Sequence, residues 1–177
     1  MIPDWMSSAT RPFDTVLVAN RGEIAVRVLR AAKESGLRGV AVYSDPDAGS
    51  LHVENADQAV HLPGTTLADT YLNGNAIIEA ARSTGAQAIH PGFGFLSERA
   101  DFANSVKAAG LIWIGPPANA IETMGDKISA RRCMIESGVP VIPGEEISMG
   151  GDSDHLGVLA SAAARVGYPL LLKASAG

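Results

Sequence analysis

The sequence predicts an α/β fold in which a parallel sheet carries helices on both faces, and three observations predict it. Residues 15–19, Thr-Val-Leu-Val-Ala, form a continuous apolar run rich in β-branched residues, too short for a helix and closed by Asn20. A strand that is apolar on both sides belongs inside a parallel sheet. An amphipathic helix follows at once. Ile24, Ala25, Val28, Leu29 and Ala32 recur at helical spacing, Glu23, Arg27, Arg30, Lys33 and Glu34 take the other face, and Gly36 stops the run. The same strand-turn-helix grammar then repeats along the chain, which is how such layered sheets are built.

A strand feeding directly into a helix N-terminus is the geometry that holds phosphates in dinucleotide folds. Here the turn Ala19-Asn20-Arg21-Gly22-Glu23 argues against it. One glycine stands where the pyrophosphate fingerprint needs three, and Glu23 would repel a phosphate from the first helical turn. The local reading is a helix start favoured by Asn20 as cap and by Glu23 complementing the dipole. What remains is a Rossmann-like shape without dinucleotide chemistry.

With 177 residues the chain has room for one domain and part of another. Apolar residues make up 46% and charged residues 19%, the balance of a globular protein rather than a disordered or membrane one. A net charge of −5 provides no electrostatic footprint for nucleic acid or anionic lipid. The single cysteine, Cys133, excludes an internal disulfide and fits a reducing cytoplasm. It lies on an apolar helix face, which favours burial over reactivity. Residues 1–12 lack both the basic start and the apolar core of a signal peptide and read as a loose tail.

Residues 39–43 give the second strand, and turn formers over residues 44–50 mark a loop at its carboxyl end, where ligands sit in open α/β sheets. Asp45 stands near the spacing of a ribose contact, but without the glycines it reads as a loop acid. His52 and His61 have no acid or cysteine at ligand spacing and read as structural or solvent-facing. Residues 57–62 make a short third strand. A helix over 73–84 buries Ile77, Ile78, Ala80 and Ala81 before Gly85, and residues 86–90 form the fourth strand. That strand delivers the chain into His90-Pro91-Gly92-Phe93-Gly94-Phe95-Leu96-Ser97-Glu98. Two glycines, a proline and two aromatics cannot continue a strand, so this is a shaped loop over the carboxyl edge, with Ser97 capping the next helix. Such loops either pack over the core or carry function. Residues 111–114 are the fifth strand, and Gly115-Pro116-Pro117 breaks away from it.

A helix over 126–138 follows, with Ile128, Met134 and Ile135 marking its period, then a loop past Pro140 and Pro143, a helix over 154–166 and a strand over 168–173. Lys173 ends that apolar strand, where a charge is unwelcome unless it meets an anion.

Five segments, VLVANRGEIAVRVLRA, AIHPGFGFLSE, IWIGPP, MGDK and GYPLLLKASAG, in this order and spacing, resemble the amino-terminal part of biotin carboxylase over residues 13–177. Their wording is nearest to the biotin carboxylase subunits of acetyl-, propionyl- and methylcrotonyl-CoA carboxylases, and pyruvate and urea carboxylases share the same opening. The resemblance implies a Rossmann-like, pre-ATP-grasp domain over 13–124 and the start of an ATP-grasp domain over 125–177. It implies a ligase in which ATP and bicarbonate, with Mg2+ or Mn2+, carboxylate biotin through carboxyphosphate. Lys127 and Lys173 match its ATP phosphate ligands. Gly177, with Ser175 and Ala176, matches the opening of its glycine-rich lid. Phe93 and Gly94 match a loop near biotin, with Phe93 standing where many relatives have tyrosine. Arg30 and Glu34 match a dimer contact, although an i,i+4 surface pair is an equal reading of the same spacing.

The implied partners are a biotin carboxyl carrier domain, a carboxyltransferase subunit and a second copy of the chain. The family's metal-binding glutamates and its basic bicarbonate residues belong to later segments, so neither catalytic residues nor metal ligands are expected in this stretch. The resulting expectation is a truncated portion that does not carboxylate biotin unaided. A non-catalytic interaction module and a different ATP-grasp or Rossmann-like nucleotide binder are the competing readings.

Overall fold

The computed structural model describes residues 11–147 and 155–173. They fall into two compact units, divided between Glu122 and Thr123. The first holds β1 (Thr15–Val18), α1 (Gly22–Glu34), β2 (Arg38–Tyr43), α2 (Leu51–Glu54), β3 (Gln58–His61), α3 (Gly74–Thr84), β4 (Ala88–His90), α4 (Ala100–Ala108) and β5 (Ile112–Trp113), and the division falls within α5 (Ala118–Gly125). All strand pairs are parallel and the spatial order is β3-β2-β1-β4-β5. Val16 lies between Gly39 of β2 and Ala88 of β4.

The alternation of side chains along these strands divides the core into two layers. Leu17, Val40, Val42 and Ile89 meet Ile77, Ile78 and Ala81 of α3 and Phe102, Ala103 and Val106 of α4. On the opposite face Val18 and Ala41 meet Ala25 and Leu29 of α1, and Val16 and Ala88 meet Ala32. Both faces of the sheet are thus covered, as the doubly apolar strands require. Burying each of Leu17, Ile77 and Ile89 contributes roughly 1.5–3 kcal/mol. Close seating of α1 depends on Gly39, where a Cβ would come within 2.8 Å of Leu29 Cδ2. Helix α3 starts on Asn73, whose side chain accepts from the Ala76 amide at 3.1 Å, and stops at Gly85 in the left-handed conformation.

Several local expectations change. Asn20 does not cap α1: Arg21 occupies the cap position with no side-chain bond, because the Asn20 amide is engaged elsewhere. Ser97 does not cap α4, since it lies inside a 3-10 turn over Phe95–Glu98 and α4 starts after Arg99 without a side-chain cap. The loop after β2 folds into a 3-10 turn, Asp45–Asp47, and then α2. Arg11, expected in a loose tail, donates to the Gly36 carbonyl at 2.9 Å.

The second unit contains α6 (Lys127–Glu136) and α7 (His155–Val166). Asp126 caps α6 by accepting from the Ser129 amide at 2.7 Å. None of the residues of α6 is fully buried, and Cys133, expected in a core, is half-buried. Arg131 donates to the Ile142 carbonyl at 2.6 Å, and Arg165 makes two bonds to Glu145. Residues 168–173 are not a strand. A strand exists only through a ladder partner, and this unit has none among the described residues; Tyr168 is 78% and Leu171 77% exposed.

Candidate functional site

In this strand order the chain reverses direction across the sheet between β1 and β4, and the crevice beyond their carboxyl ends is where open α/β sheets receive ligands. Asn20 follows β1 there, and residues 91–95 follow β4. The Asn20 side chain is buried and donates from Nδ2 to the carbonyls of Pro91 at 2.9 Å and Phe93 at 3.0 Å. Its Oδ1 accepts from the Arg21 amide at 2.9 Å. Three backbone partners thus use both ends of one carboxamide. Only glycine fits at position 92: its φ is +71°, and a Cβ would lie 2.6 Å from Asn20 Nδ2. The Gly92 amide in turn donates to His90 Nδ1 at 3.0 Å, and burial pushes the His90 imidazole down from its ordinary pKa, which keeps that nitrogen an acceptor.

A second group of side chains braces the far end of the loop. Asp47, buried, accepts from Arg21 Nη2 at 2.6 Å, from the Tyr71 hydroxyl at 2.7 Å and from Ser44 Oγ at 3.0 Å. Burial pushes this carboxyl up, but the bonds from Arg21, Tyr71 and Ser44 outweigh it and hold it at about 2. Burial and the neighbouring carboxylate push the Tyr71 phenol up, so it stays a donor. The Arg21 guanidinium sits 5.7 Å from the centre of the Tyr71 ring, and that ring stacks on Phe95 with centroids 5.9 Å apart and planes 11° from parallel. Phe95 has φ +52°, the sole non-glycine residue with positive φ among the described residues, at a cost on the order of 1–2 kcal/mol. Stacking on Tyr71 helps to hold that conformation.

Between the two braces Phe93 projects with 80% of its surface exposed, and nothing lies near the position a Cβ would take on Gly94. The fold therefore brings Phe93 and Gly94 together at the crest of the crevice. Arg30 and Glu34 lie exposed one turn apart on α1, and no ion pair joins them. Arg30 also lines an open groove of about 850 Å³ with Gly22, Glu23, Arg27, Ser50 and Leu51. Lys127 opens α6 and Lys173 follows the exposed apolar run; both are exposed, and neither side chain makes a hydrogen bond or ion pair among the described residues. Gly177 lies outside the described residues.

Asp45 is exposed and paired with His61 at 2.5 Å, in keeping with a loop acid. His52 is fully buried with Nε2 bonded to the Val42 carbonyl at 3.1 Å, the structural role expected of it. Groups of three or more histidine, cysteine, aspartate or glutamate side chains able to hold a metal do not occur among the described residues. Sequence reasoning missed Asp47 and Tyr71, and it misassigned Asn20. The signal available for Asp47 was its place three residues after Ser44 in a loop at a strand's carboxyl end.

Residues 12–121 match the family model described as biotin carboxylase, N-terminal domain. The chain is 49% identical over 167 residues to methylcrotonoyl-CoA carboxylase subunit alpha, mitochondrial, of Dictyostelium discoideum, covering 94% of this chain and 23% of that protein. It is 46% identical to a biotin carboxylase of Halalkalibacterium halodurans, covering 93% of this chain and 36% of the relative. Among solved structures it resembles the biotin carboxylase domain dimer of Hydrogenobacter thermophilus 2-oxoglutarate carboxylase, in complex with MgADP, ADP and bicarbonate. There the TM-score is 0.81 and the identity 45%, over 95% of this chain and 36% of that one. Kluyveromyces lactis urea carboxylase matches at 51% identity and a TM-score of 0.72, over 76% of this chain and 12% of that one. The chain thus spans about a quarter of the first curated relative it matches and about a third of the bacterial biotin carboxylase.

Proposed function

The chain belongs to the biotin carboxylase family through that family's amino-terminal domain, and from this premise we propose that it is the amino-terminal part of the biotin carboxylase component of a biotin-dependent acyl-CoA carboxylase. Residues 13–124 are its Rossmann-like domain and residues 125–177 the start of its ATP-grasp domain. The observation that carries the reading is the crevice between β1 and β4. The Asn20 amide is committed to the Pro91 and Phe93 carbonyls, and the surface offered outward is an exposed aromatic beside an open glycine, which suits a small flat ring.

The residues present fit part of what the reaction needs. When bound, MgATP supplies the phosphoryl group that activates bicarbonate, and biotin accepts the resulting carboxyl group. Lys127 and Lys173 are free ammonium groups able to hold phosphate oxygens. Phe93 and Gly94 would flank the biotin ring. Metal ligands have no counterpart among the described residues, so the charge developing in phosphoryl transfer must be neutralised by groups outside them. Arg30 and Glu34 belong to a contact with a second copy of the chain. The carrier domain and a carboxyltransferase are the further partners. No helix among the described residues is long and apolar enough to cross a membrane, and the lone cysteine fits action in the cytoplasm. The likeness to urea carboxylase favours one second reading, with urea in place of an acyl-CoA as acceptor.

The test is fixation of carbon-labelled bicarbonate onto free biotin with ATP and magnesium, by the 177-residue chain and by the complete carboxylase. The complete enzyme is expected to turn over and the chain alone to fall at least about a thousandfold short. Turnover by the chain near the rate of the complete enzyme overturns the assignment of the missing chemistry to other segments. Binding of NAD more tightly than ATP, measured by calorimetry, overturns the family function itself.

A further inference from the structure

We infer that Asn20 is a positioning residue for the loop 91–95, and that through this loop it sets the affinity for the ring that Phe93 and Gly94 face. The inference rests on the reading of that crest as part of the biotin site. Asn20 gives up the role its position in the chain invites. It stands at the start of a helix, where asparagine is a favoured cap, yet α1 begins without a side-chain cap while the Asn20 amide reaches residues 71 and 73 positions away. A local rule broken in favour of a long-range contact marks a place where the fold serves something besides its own stability.

The chemistry of the contact selects this residue. The loop offers two carbonyls, of Pro91 and Phe93, and the turn offers one amide, of Arg21. One short group with two donors and an acceptor satisfies all three, and only asparagine provides it at this length. Aspartate would set a carboxylate against two carbonyl oxygens. Serine keeps a single donor. Glutamine adds a methylene where Gly92 already lies against the Asn20 side chain.

The contact falls where it matters for presentation. Asn20 grips the carbonyl of Phe93 itself, while Tyr71, held by Asp47, stacks on Phe95 two residues later. Gly94, between the two grips, has φ +69° and open space where a Cβ would stand. The crest is therefore fixed at both ends and bare in the middle, the arrangement that lets an exposed aromatic meet a ligand without first being ordered.

The test uses the complete carboxylase with 4-fluorophenylalanine placed at position 93, in the wild type and in Asn20→Asp and Asn20→Ser, with Phe93→Ala as the kinetic control. In Asn20→Asp the fluorine resonance at position 93 is expected to shift or broaden in the absence of any substrate. KM for free biotin is expected to rise at least about fivefold while KM for ATP stays within about twofold, because a displaced loop misplaces one substrate and leaves the other alone. Asn20→Ser, which keeps one of the two donors and introduces no charge, is expected to give a smaller change in the same direction and stands in for Asn20→Asp should that variant fail to fold. An unchanged fluorine signal overturns the positioning role. An unchanged biotin KM in the Asn20 variants, with Phe93→Ala raising it, overturns the link to affinity while leaving the site reading in place. If Phe93→Ala also leaves the biotin KM unchanged, the site reading itself is overturned, and the fluorine signal, which needs no substrate, still decides whether Asn20 holds the loop.

Discussion

The two units of the chain spend similar kinds of residue to opposite effect. Along the sheet, short runs such as residues 15–18 and 39–42 disappear into the core, because each strand finds a parallel neighbour and a helix above or below. In the second unit the run Leu170-Leu171-Leu172 is just as apolar, yet all three side chains are exposed, as are Ile142 at 86% and Leu156 at 79%. Propensity is the same in both places and partners are not. An apolar run becomes a buried strand only where the ladder and a covering layer are supplied.

The sharpest way to test that contrast is to remove the same kind of side chain from each unit. Ile89→Ala opens a cavity in a closed core and is expected to cost about 2–5 kcal/mol. Leu171→Ala removes a side chain already in water and is expected to change stability by no more than about 0.5 kcal/mol. Urea unfolding followed by Trp113 fluorescence in a Trp5→Phe background reads the first unit, where Trp113 is buried, and the far-UV circular dichroism of the helices reads both units. Equal losses would show that residues 170–172 are packed in solution and break the comparison.

A smaller effect of the same origin is expected at Asp47. Arg21→Ala leaves this buried carboxylate with Tyr71 and Ser44 but without its cation, at a cost of about 1.5–3 kcal/mol. The acid limb of the stability curve tests the same group. Asp47 is held at about 2 in the folded state against 3.8 when unconstrained. The unfolded chain binds its proton first as the pH drops, so about 2 kcal/mol of stability is present above pH 4 and lost between about pH 4 and pH 2. The imidazoles of His52, fully buried, and His90, half-buried, are both pushed below 6.5 by desolvation and act earlier and with the same sign: stability begins to fall as the pH drops below about 6.5. In Asp47→Asn the lower limb is expected to flatten while the upper one stays, as read from urea midpoints across pH. An unchanged lower limb would assign acid sensitivity to other carboxylates.

What could be read from the sequence follows the same division. The strand at residue 15 and the helix behind it were legible because period and composition are local properties, and the doubly apolar strands required cover on both faces, which α1 on one face and α3 and α4 on the other supply. Asn20 was misassigned because its partners lie more than seventy residues away, and no local rule weighs a cap against a distant carbonyl. Asp45 and Asp47 could not be ranked: both sit among turn formers, and only the turn itself sends one to His61 at the surface and the other inward to Tyr71. The strand expected over residues 168–173 failed because a strand is a property of a pair. Phe93, Gly94, Lys127 and Lys173 were reached through family resemblance, since an exposed aromatic or lysine has no local signature of its role.

The smallest structural effects, and the narrowest functional ones, are expected at Lys127 and Lys173. Both are exposed and make no bond within the described residues, so Lys127→Ala and Lys173→Ala are expected to leave the unfolding midpoint unchanged to within about 0.5 kcal/mol. An exposed ammonium with no carboxylate partner loses nothing from the fold when it goes. A charge-assisted contact to a phosphate is worth about 1.5–3 kcal/mol, so in the complete carboxylase each change is expected to weaken ATP use by roughly tenfold or more. The biotin KM should hold, because the crest that carries Phe93 is braced by Asn20 and Tyr71 and not by either lysine. Steady-state kinetics with ATP and biotin varied in turn separate the two sites. An unchanged ATP dependence with both lysines gone removes them from the phosphate site, and a rise in the biotin KM alone moves them to the other substrate.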